Sequence, residues 1–216
     1  MNNSIKKELD ALFVEWESRM KEKDSTSHFT KDGLMYNSIP DEQNEETWFS
    51  SPKRVLFLLK DQNQKGEQKW DEDIREWLVD TASDTTESHQ RTKEANRNLA
   101  SRFIRNIAYL LWGLSKVDND NPWWYDEVTK HFCEVKEFFN TQPFAMVECK
   151  KQPGGGRLAP KDLKRHLCDF GDLLKREIEI LSPTMIVCAS HYIYSFVLEM
   201  YPHEELFSIE GHKEVS

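Results

Sequence analysis

Three short apolar runs constrain the fold of this 216-residue chain more than any other feature of its sequence. They are Val55–Leu59, Pro143–Cys149 and Met185–Ala189, and their apolar residues follow one another instead of alternating with polar ones. Such runs are typical of strands covered on both faces, as in parallel sheets flanked by helices. The sequence therefore predicts an α/β fold in which helices sandwich a small parallel sheet.

Helical periodicity fills the intervals between these runs. Apolar residues recur at spacings of three or four in three segments, which predicts three amphipathic helices. The periodic positions are Ile5, Leu9, Leu12, Trp16 and Met20; Leu99, Phe103, Ile107, Leu110 and Leu114; and Leu163, Leu167, Phe170, Leu174, Ile178 and Leu181. Tyr192–Met200 is a candidate final helix, and Trp70–Val79 is a candidate short one.

Residues 1–50 are predicted to form an N-terminal helix and a polar connection packed on the core, and residues 51–216 to form the α/β domain. Within that domain, residues 81–92 predict a mobile loop and residues 118–122 a turn. No apolar run approaches the roughly 18 residues that span a bilayer. Because the N-terminal residues lack the pattern of a secretion signal, a cytoplasmic location is expected.

Charge is distributed unevenly along the chain, which has a formal net charge of −9. The first 50 residues hold 6 basic and 11 acidic residues, whereas positions 150–166 hold 6 basic residues against Asp162 alone. A polyanion such as DNA is therefore expected to bind near residues 150–166. The acidic N-terminal part favours a protein partner instead.

Three glycines follow the second predicted strand and precede a basic helix. Their backbone N–H groups and the positive end of the helix dipole both favour a bound phosphate. The predicted phosphate-binding residues are Lys150, Lys151, Gly154, Gly155, Gly156 and Arg157. A flexible connection without a ligand is the alternative, because the segment matches no nucleotide-binding motif.

Polar residues come directly after the first predicted strand, at Lys60, Asp61 and Asn63. Open α/β sheets bind ligands at the carboxyl ends of their strands. Asp61 could there orient a water molecule or offset positive charge, or it could cap the strand through an Asx-turn. His191 follows the third strand at the same edge, whereas His166 is expected at the surface or partly buried. No histidine pair has the spacing of a metal motif.

The segments Val55–Asn63 and Phe144–Ser190, taken in order, resemble the uracil-DNA glycosylase superfamily. Most of the resemblance lies in the second segment, where a strand passes into Lys150–Arg157 and is followed by a helix and a further strand. The resemblance implies a small parallel sheet wrapped by helices and a base pocket at the strand ends. It also implies cleavage of the N-glycosidic bond of a base flipped out of DNA.

The resemblance implies roles for individual residues as well. Asp61 lies where one branch of the superfamily carries its water-activating aspartate, and Asp61 and His191 are the predicted catalytic residues. Lys60, Asn63 and Glu148 join the predicted substrate-binding residues.

The sequence departs from the superfamily pattern at several positions. Leu59 and Gln62 stand where that branch has a glycine and a proline, and Glu148 lies near the position of the base-reading asparagine. Cys149 and Cys168 lie near two ligand positions of an iron–sulphur cluster that one branch carries. Because the other cysteine pair of that cluster is absent, we predict no cofactor.

The sequence as a whole favours a glycosylase-like protein that binds nucleic acid or a nucleotide and hydrolyses the N-glycosidic bond of a flipped base. One alternative is a catalytically inactive α/β module that binds a protein partner through its acidic N-terminal region and the aromatic segment Trp123–Tyr125. A hydrolase of free nucleotides is the other. No membrane association is expected.

Overall fold

A computed structural model describes residues 4–35, 41–64, 67–76, 99, 101–117, 124–155 and 157–202. The helices are α1 (Ile5–Lys23), α2 (Asp41–Ser50), α3 (Arg102–Lys116), α4 (Tyr125–Val128), α5 (Phe132–Thr141), α6 (Pro160–Leu181) and α7 (His191–Met200), with short 3₁₀ turns at Ile74–Glu76 and Thr129–His131. The strands are β1 (Thr30–Lys31), β2 (Gly33–Leu34), β3 (Val55–Asn63), β4 (Glu72–Asp73), β5 (Ala145–Gly154) and β6 (Met185–Cys188). The predictions for residues 81–92, residues 118–122 and Gly156 lie outside the described residues. Among the helices described, none is long and apolar enough to cross a membrane.

Four strands form the central sheet in the order β2, β5, β3, β6. β5, β3 and β6 are parallel, so their carboxyl ends share one edge, whereas β2 is antiparallel to β5. The α/β class is therefore confirmed, but the sheet is mixed instead of parallel. β2 has only two residues, Gly33–Leu34, which is too short to produce a recognisable pattern in the sequence. β1 and β4 form a separate parallel pair.

Helices cover both faces of the sheet, as the continuous apolar runs predict. Leu56 and Leu58 of β3 pack with residues of α1 and α6, while Phe57 and Leu59 pack with residues of α3 and α5. The strands β5, β3 and β6 end at one edge of the sheet, and open α/β sheets bind ligands at that edge. We call the space between the carboxyl ends of β3 and β5, where Asp61 and Lys150 are register partners, the crevice.

The predicted apolar stripe is buried in α6 but is partly exposed in α3. Every position of the periodic stripe in α6 is buried, and the helix begins with Pro160 in its first turn. In α3, Phe103 and Leu110 are exposed, so the predicted stripe is wrong there. The buried stripe consists of Ile104, Ile107, Ala108, Leu111 and Trp112. Because apolar residues lie on more than one side of α3, spacing alone does not decide which side faces the sheet.

Residues 70–76 do not form the short helix predicted for Trp70–Val79. They form β4 and a single 3₁₀ turn instead, and residues 77–79 lie outside the described part. The side chain of Gln64 accounts for the start of this segment, because its amide donates to the carbonyl of Trp70 at 2.9 Å and its oxygen accepts the Trp70 N–H at 3.0 Å. Both backbone groups of Trp70 are therefore held away from a helical pattern.

A buried charge triad joins three parts of the core. Lys151 of β5 is fully buried and forms an ion pair with Asp32, and its ammonium lies 2.7 Å from a carboxyl oxygen of Glu177 on α6. The Lys151 ammonium also lies 5.6 Å from the ring centroid of Phe13 and 5.0 Å from that of Trp16, both on α1. Burial and the charge of Asp32 raise the pKa of Glu177 well above its ordinary value, so Glu177 holds a proton. One cation is thus balanced mainly by one carboxylate, Asp32.

The triad predicts unequal effects for two substitutions. Lys151→Ala should lower the free energy of unfolding by about 3–5 kcal/mol, because it leaves Asp32 as an unpaired buried charge. Glu177→Gln should cost only about 1 kcal/mol, because an amide replaces a carboxyl that is already neutral. Urea denaturation measures both, with the exposed Lys161→Ala as a control within about 0.5 kcal/mol of wild type. Equal losses for Lys151→Ala and Lys161→Ala would contradict this assignment.

Candidate functional site

The crevice between β3 and β5 holds a carboxylate and an ammonium group. Asp61 and Lys150 are register partners on the two strands, and Asp61 Oδ2 lies 3.8 Å from Lys150 Nζ. Their side chains are 8% and 13% exposed, so solvent reaches both groups only in part. The Lys150 ammonium also donates to the carbonyl of Gln152 at 2.6 Å, which holds it near the strand end. Asp61 therefore lies near the carboxyl end of the sheet, beside Lys150.

Gly154 provides the space that the Asp61 side chain occupies. A Cβ atom at position 154 would lie 1.8 Å from Asp61 Oδ2, a distance that no pair of atoms can adopt without displacement. Between the pairs Asp61–Lys150 and Asn63–Gly154, β5 advances four positions while β3 advances two. This bulge brings Gly154 against the carboxylate. Gly154 is therefore a residue of β5 and not of a free phosphate-binding loop, which corrects the prediction for this position.

The protonation of Asp61 is set by opposing influences. Burial is the larger influence and raises the pKa of Asp61 above its ordinary value, although the positive charges of Lys150, Lys60 and Lys69 oppose the rise. The carboxylate accepts no hydrogen bond from the described part of the chain, so its only close partner there is the ammonium of Lys150. A carboxyl with unused acceptor capacity can bind a water molecule or another hydrogen-bond donor.

Glu148 places a second carboxyl group near Asp61. Glu148 is 3% exposed, and its Oε2 atom has no hydrogen-bond partner among the described residues. Burial, with the charges of Asp32 and Asp61, raises the pKa of Glu148 to about 8 against the opposing charge of Lys151. Glu148 is therefore a neutral acid at pH 7. A buried neutral acid without a partner is a feature of catalytic and binding sites.

The backbone beside Glu148 is tied to the buried charge triad. The N–H of Glu148 donates to Asp32 Oδ2 at 2.6 Å, and the same carboxylate pairs with Lys151. Asp32 thus fixes the strand at Glu148 and contributes the negative charge that helps to keep Glu148 protonated.

Lys151 is buried, so its prediction as a phosphate-binding residue is wrong. Residues 145, 147, 149 and 151 of β5 are buried on the same face, and the ammonium of Lys151 is enclosed by the triad. A phosphate in solvent cannot reach it. Successive residues of a strand point to opposite faces, so only one of the two adjacent lysines lies in the crevice.

The remaining predicted residues lie at the surface near the same edge of the sheet. Lys60, Asn63, Gly155 and Arg157 are exposed, and no other side chain or backbone comes within 4 Å of a Cβ built at Gly155. His191 is exposed at the start of α7, with its ring centroid 3.7 Å from that of Tyr192. The described contacts include no hydrogen bond between His191 and Asp61. The structure therefore does not bring the two predicted catalytic residues into direct contact.

Two residues near the site were not predicted. Lys69 donates to the carbonyl of Gly154 at 3.2 Å, yet it lies in a polar stretch with no distinguishing pattern. His166 is expected at the surface or partly buried but is only 8% exposed, and its imidazole pKa is lowered to about 3. Its position beside Leu167 on the apolar stripe of α6 is the signal that could have indicated burial.

No metal centre occurs in the described part of the chain, since no three histidine, cysteine, aspartate or glutamate side chains there are grouped to hold an ion. No protein-family model, curated protein or solved structure matches the sequence or fold.

The raised pKa of Glu148 makes stability depend on pH in a defined direction. The folded state holds the Glu148 proton up to about pH 8, whereas an unfolded glutamate releases it near 4.5. The stabilisation linked to that proton is complete below pH 4.5 and is lost as pH rises towards 8, by at most about 1.4 kcal/mol per unit.

Glu148→Gln removes this dependence. Its free energy of unfolding, relative to wild type, should increase between pH 5 and pH 8, and the two proteins should differ by a constant amount above about pH 9. Denaturant titrations of both proteins across this range measure the difference. A difference that stays constant from pH 5 to pH 8 would show that Glu148 is ionised throughout.

Proposed function

We propose that this protein hydrolyses the N-glycosidic bond between a base and its sugar in nucleic acid or a nucleotide, using a site like that of uracil-DNA glycosylases. The observation that carries the proposal is a pair of carboxyl groups in different surroundings at the carboxyl end of the sheet. Burial raises the pKa of Glu148 to about 8, while three lysines oppose the rise that burial causes in the pKa of Asp61. Pairs of this kind divide acid and base roles between two residues.

The two groups match the two requirements of the reaction. As the bond from sugar C1′ to the base nitrogen breaks, positive charge develops on the sugar and negative charge on the base. Asp61 stabilises the sugar and accepts a proton from the attacking water, whose oxygen bonds to C1′. Glu148 donates its proton to the departing base, so that the products are a free base and a sugar with a C1′ hydroxyl.

Basic residues at the same edge support a substrate that carries phosphate. Lys60 and Arg157 are exposed, and Lys69 and Lys150 are partly buried beside the site. Their charge is opposite to that of the chain as a whole, which is −9. A local positive surface on an acidic protein attracts phosphate to one place and away from the remaining surface.

Base release from oligonucleotides tests the proposal. Wild type is expected to form abasic sites in single- or double-stranded oligonucleotides that carry uracil or hypoxanthine, with unmodified oligonucleotides as the reference. Asp61→Asn should reduce the rate by at least about 100-fold, because the amide cannot accept the proton. Asp126→Asn, which changes an exposed aspartate on α4, should keep the wild-type rate.

Gly154→Ala adds a test of geometry to the same assay. It leaves every functional group in place, but its Cβ would lie 1.8 Å from Asp61 Oδ2 in the present arrangement. The rate should therefore fall although the protein remains folded. Absence of base release by folded wild type from every oligonucleotide and nucleoside would overturn the proposal.

A binding module without catalysis is the second candidate, and one observation favours it. Trp124 is 71% exposed and Tyr125 beside it is also exposed, so the two aromatic side chains are available to a partner protein. Salt distinguishes the candidates, because phosphate contacts weaken steeply with rising salt while a mainly apolar interface changes little. Release of base from free nucleosides but not from oligonucleotides would identify a hydrolase of free nucleotides.

A further inference from the structure

A cleft of about 140 Å³ lies between the end of α1, the end of β5 and the first turns of α6. It lies next to Lys150, whose ammonium is 3.8 Å from Asp61. The side chains that matter here are those of Lys23, Lys150, Arg165, His166 and Phe170. Nothing in the proposed reaction uses this cleft.

His166 lines this cleft and has one unsatisfied nitrogen. The residue is 8% exposed, and its Nε2 has no hydrogen-bond partner among the described residues. Its ring centroid lies 4.7 Å from that of Phe170, so packing on one side holds the imidazole in position. A buried polar atom without a partner costs free energy, which a ligand atom in the cleft would recover.

The charges around His166 favour an anion. Burial is the main cause of its lowered pKa, and the charges of Lys150, Lys151 and Lys23 lower that pKa further, while only Asp169 raises it. The imidazole is therefore neutral, lies in a positive potential and carries one N–H that can donate.

The acidic residues of the cleft already have partners. Asp169 pairs with Lys23 at 2.5 Å and Asp162 with Arg165 at 3.1 Å. Asp24 accepts the N–H of Thr26 at 3.0 Å. Arg165 uses one of its five donors in this pairing, so several N–H groups remain for a ligand.

We propose that this cleft binds a phosphate group, held by His166 Nε2, Lys150 and Arg165. The identity of the natural ligand as a nucleotide phosphate rests on the proposed function, whereas phosphate binding itself does not. Lys150 lies between the phosphate and Asp61, so the same ammonium would contact the bound phosphate and the catalytic carboxylate. The cleft would thereby position the substrate with respect to Asp61.

Titration with inorganic phosphate tests the proposal. Calorimetry should detect binding to wild type, weakened about tenfold or more in His166→Phe and about threefold or more in Arg165→Ala. Lys164→Ala is the matched control, because this exposed neighbour of Arg165 does not line the cleft. It should bind phosphate like wild type.

A measurement on wild type covers the case in which His166→Phe does not fold. Phosphate should shift the ring resonances of His166 in NMR spectra and raise its pKa, since a bound anion stabilises the imidazolium. Equal affinity in all four proteins, or His166 resonances that do not respond, would overturn the proposal. Phosphate binding without base release would support the phosphate site and contradict the proposed hydrolysis. Base release without phosphate binding would support the hydrolysis and contradict the phosphate site.

Discussion

The ion pair between Lys151 and Asp32 is the interaction on which both the core and the site depend. Lys151 belongs to β5, Asp32 lies between β1 and β2, and Glu177 belongs to α6, so the triad joins the sheet to the elements on one of its faces. A buried charge is tolerated only when it is paired, which makes this arrangement specific. Asp32 also binds the backbone of Glu148. The site is therefore anchored to the interior by the same carboxylate.

Burial and nearby charge act differently on the two carboxyl groups of the crevice. Glu148 is enclosed and feels the negative charge of Asp32, so it keeps its proton. Burial also raises the pKa of Asp61, but three lysines oppose that rise. The difference arises from the position of each residue: Asp61 follows the apolar part of β3 and lies beside Lys150, while Glu148 lies inside the apolar part of β5. Gly154 completes the site by leaving room for Asp61.

The sequence predicts the parts of this fold that depend on local pattern. The three apolar runs became β3, β5 and β6, and the stripe of α6 is buried throughout. The sequence predicts Asp61 directly after the first strand, whereas β3 continues through Asp61 to Asn63, so the residue belongs to the last part of the strand itself.

The features that could not be predicted depend on contacts between distant residues. Lys150 and Lys151 are chemically alike in the sequence, and only the continuation of β5 to Gly154 decides which of them is buried. The segment after Lys151 contains a proline and glycines, which indicate a loop and conceal that continuation. The partners of Lys151 and Glu148 are more than 100 positions away in Asp32, so no local pattern reveals the protonation of either site.

A proton on Glu148 at neutral pH is the central claim of this account. Carbon-13 NMR of the glutamate side-chain carboxyls, with the Glu148 signal assigned by its loss in Glu148→Gln, tests the claim directly. The account predicts that this signal keeps the shift of a protonated acid through pH 7 and titrates near the pKa of about 8. A signal that titrates near 4.5, like that of an exposed glutamate, would contradict the account.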